Sequence, residues 1–160
     1  MCSSDLGKKI SVDSANLMNK VLEVIEASLI FKLPINKFKI FIHPQSLIHG
    51  IVQFNNGLSS MLYHCNDMKI PIINSLYNNL PKIENIDEKF LTEKELTFSD
   101  VDLKKNPSVK ILKLKNILNE SGYILINTLN EVLVQRFLEK KISFTDIINK
   151  LLVKIGRAHV

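Results

Sequence analysis

Apolar residues recur at helical spacing near the start of the chain. Between Val12 and Ala27, four apolar side chains fall on one face of a helix: Leu17, Val21, Val24 and Ile25. Spacings of three and four residues bring side chains to the same side of a helix, so this segment is predicted to be helical. Asp13 or Ser14 is the expected N-cap residue, and Pro34 lies just beyond the expected C-terminal end.

The next stretch alternates between apolar and polar residues, which is typical of strands. Residues 37–43 are rich in Ile and Phe and are predicted to form one strand. Residues 47–54 and 58–64 flank the tripeptide Asn55-Asn56-Gly57. Asn and Gly tolerate positive φ, so this tripeptide predicts a hairpin turn between two strands.

A short helix and a polar segment follow the hairpin. Residues 68–80 are predicted to form a helix with Pro71 in its first turn, where a proline removes no helical hydrogen bond. Residues 78–103 are polar, partly acidic and irregular. They are predicted to form a linker, with a short strand at Glu95–Phe98.

Helical periodicity returns after Asn106. One predicted helix ends near Gly122 and carries Val109, Leu112 and Leu118. A second carries Ile126, Leu129, Leu133 and Phe137. A third runs to about Lys154, with Ser143 or Thr145 as its cap. The pattern predicts an α+β fold, in which a mixed or antiparallel sheet with helices is followed by part of an α-helical bundle.

Composition and charge narrow the class of protein. The chain has 160 residues, 46% of them apolar, and a net charge of +5. The basic charge is carried by 19 Lys and only 2 Arg, whereas nucleic-acid binding favours the planar fork of Arg, so no nucleic-acid partner is expected. No apolar run approaches the roughly 20 residues of a membrane span, so no membrane partner is expected either.

The two ends of the chain share an unusual coding relationship. Residues 155–160 can be encoded by DNA whose reverse complement encodes Met1 to Asp5. A translated sequencing adapter would produce such a pair, so residues 1–6 and 155–160 are expected to be artefactual. Without Cys2, Cys65 is alone, which excludes a disulfide framework and favours a reducing compartment.

Polar residues on the first predicted helix form the main candidate site. Asn19 and Glu23 are four residues apart, and Lys20 and Glu23 are three apart, so they share one face. Ser14 is expected at the amino end, where free N–H groups favour an anion. This set suits a phosphorylated polyol and a divalent metal. The alternative is a solvated face with a weak Lys–Glu pair.

Two histidines follow the predicted strand at 37–43. His43 and His49 are six residues apart, which matches no common local metal motif. Either can act as a ligand, a proton carrier or a hydrogen-bonding support, although a histidine at a strand end is more often structural. Cys65 is interpreted as a packing residue, and the chain has no P-loop and no GxGxxG motif.

Several segments together resemble a known enzyme family. They are Gly7-Lys-Lys-Ile-Ser-Val-Asp-Ser14, Met18-Asn-Lys20, Leu22-Glu23, Ile25-Glu-Ala27, Ile42-His-Pro-Gln-Ser-Leu-Ile-His49, Asp67-Met68 with Pro71, Leu129-Asn-Glu131 and Phe144-Thr-Asp-Ile147. In this order they resemble 1-deoxy-D-xylulose 5-phosphate reductoisomerases. The resemblance spans about residues 7–154.

The resemblance implies an activity and a set of site residues. The expected reaction is the NADPH-dependent conversion of 1-deoxy-D-xylulose 5-phosphate to 2-C-methylerythritol 4-phosphate in isoprenoid biosynthesis, with Mg²⁺ or Mn²⁺. Glu23 and His49 are the implied catalytic residues, and Glu23 is also the metal ligand. The implied substrate-binding residues are Ser14, Asn19, Lys20 and Glu23. Gly7 and Met68 are implied to bind NADPH.

The resemblance also implies a domain organisation and a setting. Residues 7–77 would be part of the central catalytic domain, 78–103 a linker, and 104–154 part of a C-terminal helical domain. The full-length enzyme is expected to be a homodimer in the bacterial cytoplasm or an organelle.

The chain also departs from the family pattern. Val21 replaces a usual Gly, Ser28-Leu29 replaces Arg-Trp, and Asn66 replaces Pro. The family's Rossmann domain, its two other acidic metal ligands and its flexible loop are expected before residue 7, so the chain alone is predicted to be inactive. The alternative is a non-catalytic, Lys-rich module that binds polyanions or other proteins.

Overall fold

The structure, a computed structural model, describes residues 5–77, 95–114 and 119–157. The chain forms two compact units, which we call the helical unit (residues 1–40 and 101–160) and the hairpin unit (residues 41–100). The helical unit therefore consists of two chain segments, separated in sequence by the hairpin unit. The domain organisation expected from the sequence, with boundaries at residues 77 and 103, stays a prediction.

The first predicted helix is in fact two helices. Helix α1 spans Asp5–Ala15 and helix α2 spans Met18–Phe31. Leu17, between them, has a left-handed backbone with φ of 59°, and the Asn16 side-chain oxygen accepts a hydrogen bond of 2.9 Å from the Met18 N–H. The prediction that Asp13 or Ser14 caps a single helix is therefore wrong, since both lie in the last turn of α1.

A 3-10 helix and a long α-helix follow the hairpin unit in sequence, and the α-helix begins with a side-chain cap. Residues Pro107–Lys113 form a 3-10 helix, and helix α4 spans Glu120–Leu138. The Asn119 side chain accepts a hydrogen bond of 2.9 Å from the Gly122 N–H. Gly122 thus lies in the first turn of α4, and the prediction that it ends the preceding helix is wrong.

Helix α5 spans Phe144–Arg157 and begins with a reciprocal cap. The Ser143 hydroxyl accepts from the Asp146 N–H at 3.2 Å, and the Asp146 carboxylate accepts from the Ser143 N–H at 3.0 Å. Ser143 and Asp146 each satisfy a free N–H of the other, so Ser143 is the cap. Ser143 was one of the two predicted cap residues. The helix continues past its predicted end at Lys154.

The helical unit is held together by one apolar core. Side chains from both chain segments contribute to it: Val12, Met18, Val21, Ile25, Ile111, Ile126, Leu133, Val134, Ile147, Ile148, Leu151 and Ile155. Burial of aliphatic side chains is the main favourable contribution to folding. The core therefore joins the α1–α2 pair to α4, α5 and the 3-10 helix.

The described residues of the hairpin unit, 41–77 and 95–100, form two small antiparallel sheets. Strand β1 (Phe41–Ile42) pairs with β4 (Ser99–Asp100), and β2 (Ile48–Gln53) pairs with β3 (Ser59–Tyr63). The predicted hairpin is confirmed: Gly57 has φ of 88°, and the Phe54 N–H donates to the Leu58 carbonyl at 2.8 Å.

Other elements of this unit differ from expectation in length. The strand predicted over 37–43 covers only Phe41–Ile42, because its two-residue partner is β4. The strand predicted at Glu95–Phe98 is displaced to Ser99–Asp100. Helix α3 spans Lys69–Leu76, within the predicted 68–80. Residues 78–94 of the linker predicted over 78–103 lie outside the described residues.

The predicted fold class is confirmed. The described ranges combine helices with small antiparallel sheets, and none of them contains a Rossmann fold. No helix in these ranges is both long and apolar enough to cross a lipid bilayer.

Candidate functional site

The α1–α2 junction brings together the predicted substrate-binding residues. Ser14 lies in the last turn of α1, and Asn19 and Lys20 lie in the first turn of α2. Leu17, with its left-handed backbone, separates the two helices, and across this break Asn19 Nδ2 donates to Ser14 Oγ over 3.4 Å. A hydroxyl and an amide are therefore adjacent at an exposed junction.

Lys20 and Glu23 form an ion pair on the same face of α2. Lys20 Nζ lies 3.0 Å from Glu23 Oε1 and 2.9 Å from Oε2, so it bridges both carboxylate oxygens. The two side chains are 47% and 54% exposed. Exposed pairs contribute at most about 1 kcal/mol. A ligand can therefore separate the ammonium and the carboxylate at little energetic cost.

The position of the helix boundary decides which residues lie at a helix amino end, where an anion is favoured. Ser14 is at the carboxyl end of α1, so the expectation that it occupies a helix amino end is wrong. The amino end belongs to α2, where Asn16 Oδ1 accepts from the Met18 N–H and Asn19 Oδ1 accepts from the Lys20 N–H, each at 2.9 Å. Lys20 is thus the cationic group at this end of α2.

Polar residues that the sequence analysis did not identify as functional lie beneath the junction. Asp13 is 3% exposed and accepts hydrogen bonds from Lys9 Nζ at 2.8 Å and from Asn130 Nδ2 at 2.9 Å. Ser108 Oγ donates to the Asn16 backbone carbonyl at 2.5 Å. Asn130 could have been identified from the sequence as a buried polar residue, because it interrupts the apolar stripe of α4 formed by Ile126, Leu133 and Val134.

Gly7, implied to approach NADPH, lies near the start of α1. It is exposed, and its carbonyl accepts from Ser11 Oγ at 3.0 Å. Gly7 and Ser14 are seven residues apart in one helix, so they share a face about 10 Å apart along the axis. The structure therefore places the implied cofactor residue on the same side of α1 as Ser14.

His49 and Met68 belong to the hairpin unit, whereas the four residues of the junction belong to the helical unit. The His49 ring stacks on His64 with centroids 3.8 Å apart, and His49 Nε2 lies 3.2 Å from the His64 carbonyl oxygen. His64 is buried, and its Nδ1 lies 2.6 Å from the Cys65 carbonyl. Met68 is 67% exposed and immediately precedes α3.

His43, at the end of the strand predicted over 37–43, makes structural contacts. His43 Nδ1 lies 2.9 Å from the Thr97 carbonyl oxygen, and its ring stacks on Phe98 with centroids 4.7 Å apart. These contacts join β1 to the segment before β4. They support the structural alternative for His43.

Glu23 is the candidate metal ligand. Divalent cations such as Mg²⁺ need several oxygen ligands, and Glu23 supplies the only carboxylate of the junction face formed by Ser14, Asn19, Lys20 and Glu23. Within the described ranges, no three His, Cys, Asp or Glu side chains are grouped closely enough to hold a metal ion. The described residues alone therefore do not complete a metal site.

Two family profiles match the chain. The profile for the DXP reductoisomerase C-terminal domain covers residues 65–155. The profile for the 1-deoxy-D-xylulose 5-phosphate reductoisomerase C-terminal domain covers residues 3–31, which include the α1–α2 junction. Together they cover most of each segment of the helical unit.

Curated relatives that match most of this chain are reductoisomerases with the same name as the second profile. The 1-deoxy-D-xylulose 5-phosphate reductoisomerase of Pelagibacter ubique is 46% identical over 152 residues, covering 92% of this chain and 38% of the relative. That of Anaplasma phagocytophilum is 39% identical over 150 residues, with 92% and 39% covered. The chain thus spans less than two fifths of the length of these relatives.

Solved structures show the same fold. The reductoisomerase from Zymomonas mobilis in complex with NADPH superposes with a TM-score of 0.83 at 32% identity, covering 93% of this chain and 40% of the other. A reductoisomerase in complex with NADPH, fosmidomycin and magnesium also gives 0.83, at 35% identity, covering 92% and 36%. The profiles, the relatives and the shared fold establish that this chain belongs to the 1-deoxy-D-xylulose 5-phosphate reductoisomerase family.

Proposed function

We propose that this chain is part of an enzyme that converts 1-deoxy-D-xylulose 5-phosphate to 2-C-methyl-D-erythritol 4-phosphate for isoprenoid synthesis. The observation that carries the proposal is the α1–α2 junction, where Ser14, Asn19, Lys20 and Glu23 lie on one exposed face. These four residues match the family motif, and they combine a hydroxyl, an amide, a cation and a carboxylate.

Each group of the junction has a part in binding the phosphorylated substrate. Lys20 provides a positive charge for the phosphate or a hydroxyl, once substrate separates it from Glu23. Ser14 and Asn19 can donate and accept hydrogen bonds, which suits hydroxyl groups of a polyol and phosphate oxygens. Their mutual contact of 3.4 Å is long, so substrate oxygens can replace it without a large loss.

Glu23 supplies one oxygen ligand of a Mg²⁺ or Mn²⁺ site whose other ligands come from outside the described residues. When bound, the metal stabilises the negative charge that develops on the substrate oxygens, and NADPH supplies the hydride. Gly7 offers its backbone to NADPH, Met68 packs near the nicotinamide, and His49 is a catalytic residue that supports the site.

The 160-residue chain alone and the full-length enzyme are expected to differ in activity. A single carboxylate binds a divalent cation weakly, so the 160-residue chain is inactive by itself. The full-length enzyme is a homodimer of the bacterial cytoplasm or of an organelle. The sheet within residues 37–64 provides its partner surface.

The experiment requires the segments of the relatives that this chain does not span. Residues 7–154 would replace the matching segment of the Pelagibacter ubique relative, and NADPH oxidation with 1-deoxy-D-xylulose 5-phosphate would be measured with and without Mg²⁺. In this chimera we expect Glu23→Gln to lower kcat/KM by about a hundredfold or more. The matched control is Glu26→Gln, another exposed glutamate of α2.

Two results would contradict the proposal. One is a Glu23→Gln chimera with the metal-dependent turnover of the parent. The other is NADPH oxidation by the 160-residue chain alone, which would contradict its proposed inactivity. Salt-dependent binding of the chain to RNA or DNA, together with an inactive chimera, would instead favour the polyanion-binding alternative.

A further inference from the structure

Two buried contacts flank Ser14 and tie it to distant parts of the chain. On one side, Asp13 Oδ1 accepts from Asn130 Nδ2 at 2.9 Å, across 117 residues of sequence. On the other, the Asn16 carbonyl accepts from Ser108 Oγ, across 92 residues. Asn130 and Ser108 are both 0% exposed. The substrate-binding junction is therefore fixed from within the helical core.

The Asp13–Asn130 contact is not needed to fill space. Asn130 occupies a position in the apolar stripe of α4, where an aliphatic side chain of similar size would be buried without a polar group to satisfy. A hydrogen bond is directional, whereas apolar contacts are not, so the contact specifies the orientation of the last turn of α1. Lys9 Nζ, 2.8 Å away, balances the Asp13 charge.

We infer that Asn130 is a positioning residue for substrate binding, because through Asp13 it fixes the placement of Ser14 and its neighbour Asn19. This inference rests on the proposed function, since it takes Ser14 and Asn19 as substrate contacts. A displacement of about 1 Å in a binding group can lower catalytic efficiency about a hundredfold. Loss of the Asn130 amide is therefore expected to weaken substrate binding as well as to lower the stability of the fold.

The test compares Asn130→Leu with Val134→Ala. Val134 is 1% exposed, one turn further along α4, so its truncation weakens the same core without removing a hydrogen bond from the junction. In the chimera, we expect Asn130→Leu to lower kcat/KM by about tenfold to a hundredfold, mainly through KM. Val134→Ala should leave kcat/KM near the parent value at equal distances below each variant's Tm.

A second measurement does not depend on activity. Hydrogen exchange in the 160-residue chain reports on the Met18 and Val21 amides, which donate to Asn16 Oδ1 and to the Leu17 carbonyl. Asn130→Leu should speed their exchange about tenfold or more relative to Val134→Ala at matched global stability. The swap Asp13→Asn with Asn130→Asp keeps one donor and one acceptor and should restore slow exchange in part.

The outcomes separate the inference from the proposed function. Equal kcat/KM and equal exchange in Asn130→Leu and Val134→Ala would overturn the positioning role. If Glu23→Gln retains full turnover, the proposed function fails, and the exchange rates at Met18 and Val21 alone then decide whether Asn130 fixes the junction. Faster exchange with unchanged KM would also overturn a role in substrate binding.

Discussion

The Ser108 hydroxyl and the Asn16 carbonyl oxygen are 2.5 Å apart, although 92 residues separate them in sequence. Ser108 lies in the first turn of the 3-10 helix that follows the hairpin unit in sequence, and Asn16 precedes the left-handed residue of the α1–α2 junction. The hydrogen bond thus joins the two chain segments of the helical unit at the point where the proposed site is located.

Removal of this hydroxyl should destabilise the chain. Ser108→Ala leaves a buried carbonyl without this donor, so we expect the free energy of unfolding to fall by about 1 to 3 kcal/mol. Urea unfolding measures the change. Ser75→Ala is the matched control, because Ser75 also donates to a backbone carbonyl but is exposed. Equal losses in the two variants would contradict the importance of the buried contact.

Lys20 should contribute to substrate affinity more than other exposed lysines do. In the chimera, Lys20→Gln is expected to raise KM for the phosphorylated substrate about tenfold, because a charge-assisted hydrogen bond is lost. Lys150→Gln is the control, since Lys150 is 46% exposed and also faces a carboxylate, Asp146, on a helix. Steady-state kinetics would contradict the prediction if both substitutions changed KM alike.

Stability should depend on the ionisation of Asp146 at acid pH. The Ser143 N–H, and then its hydroxyl, lower the pKa of Asp146 from its ordinary value. A lowered folded-state pKa gives stability that is present above the unfolded-state value of about 4 and is lost as the pH falls through the folded-state value. The stability difference between wild type and Asp146→Asn should therefore shrink below about pH 4.

Chemical unfolding at several pH values measures this difference. In a Ser143→Ala background the pH-dependent part should be smaller, because the hydroxyl contribution is lost. A difference that grows as the pH falls would have the wrong sign.

The hairpin turn should be sensitive to the backbone of Gly57. Its φ of 88° is strained for any residue with a Cβ, so Gly57→Ala is expected to destabilise the hairpin by about 1 kcal/mol. Gly50→Ala is the control: Gly50 lies in β2 with no positive φ, and there is open space where its Cβ would lie. Exchange of the Phe54 amide in both variants distinguishes the two sites.

Ile155 tests whether the end of α5 belongs to the folded core. It is 1% exposed and packs in the core, although it lies in the tail expected to be artefactual. Ile155→Ala should lower the free energy of unfolding by about 2 to 5 kcal/mol. Val153→Ala, at a position 52% exposed, should change it by less than about 0.5 kcal/mol. Equal effects would contradict the burial of Ile155.

Local signals in the sequence were sufficient to predict part of the fold. Asn55-Asn56-Gly57 predicts the hairpin, and Ser143 or Thr145 as a cap predicts the start of α5, because a turn and a cap depend on residues close in sequence. The break at Leu17 was not predictable in this way. Val12, Met18 and Val21 all belong to the core, so the apolar period continues across the interruption.

The candidate site was also predictable only in part, because some of its contacts join residues that are distant in sequence. The spacing of Asn19, Lys20 and Glu23 places them on one helical face, and the contacts in α2 agree with that. Asn130, which donates to Asp13, and Ser108, which donates to the Asn16 carbonyl, are more than ninety residues away from these partners, and no local pattern identifies them. The short pairing of β1 with β4 also joins residues distant in sequence, and the sequence predicted no such pairing.

The division of the helical unit into two chain segments has a consequence for biosynthesis. When the ribosome has completed residue 100, α1 and α2 exist but their core partners in α4 and α5 have not been made. Contacts between such distant segments form slowly, because a long loop must close first. The α1–α2 junction, which we propose binds substrate, is therefore among the last parts of this chain to mature, and a nascent chain arrested near residue 100 presents an uncovered apolar face to chaperones.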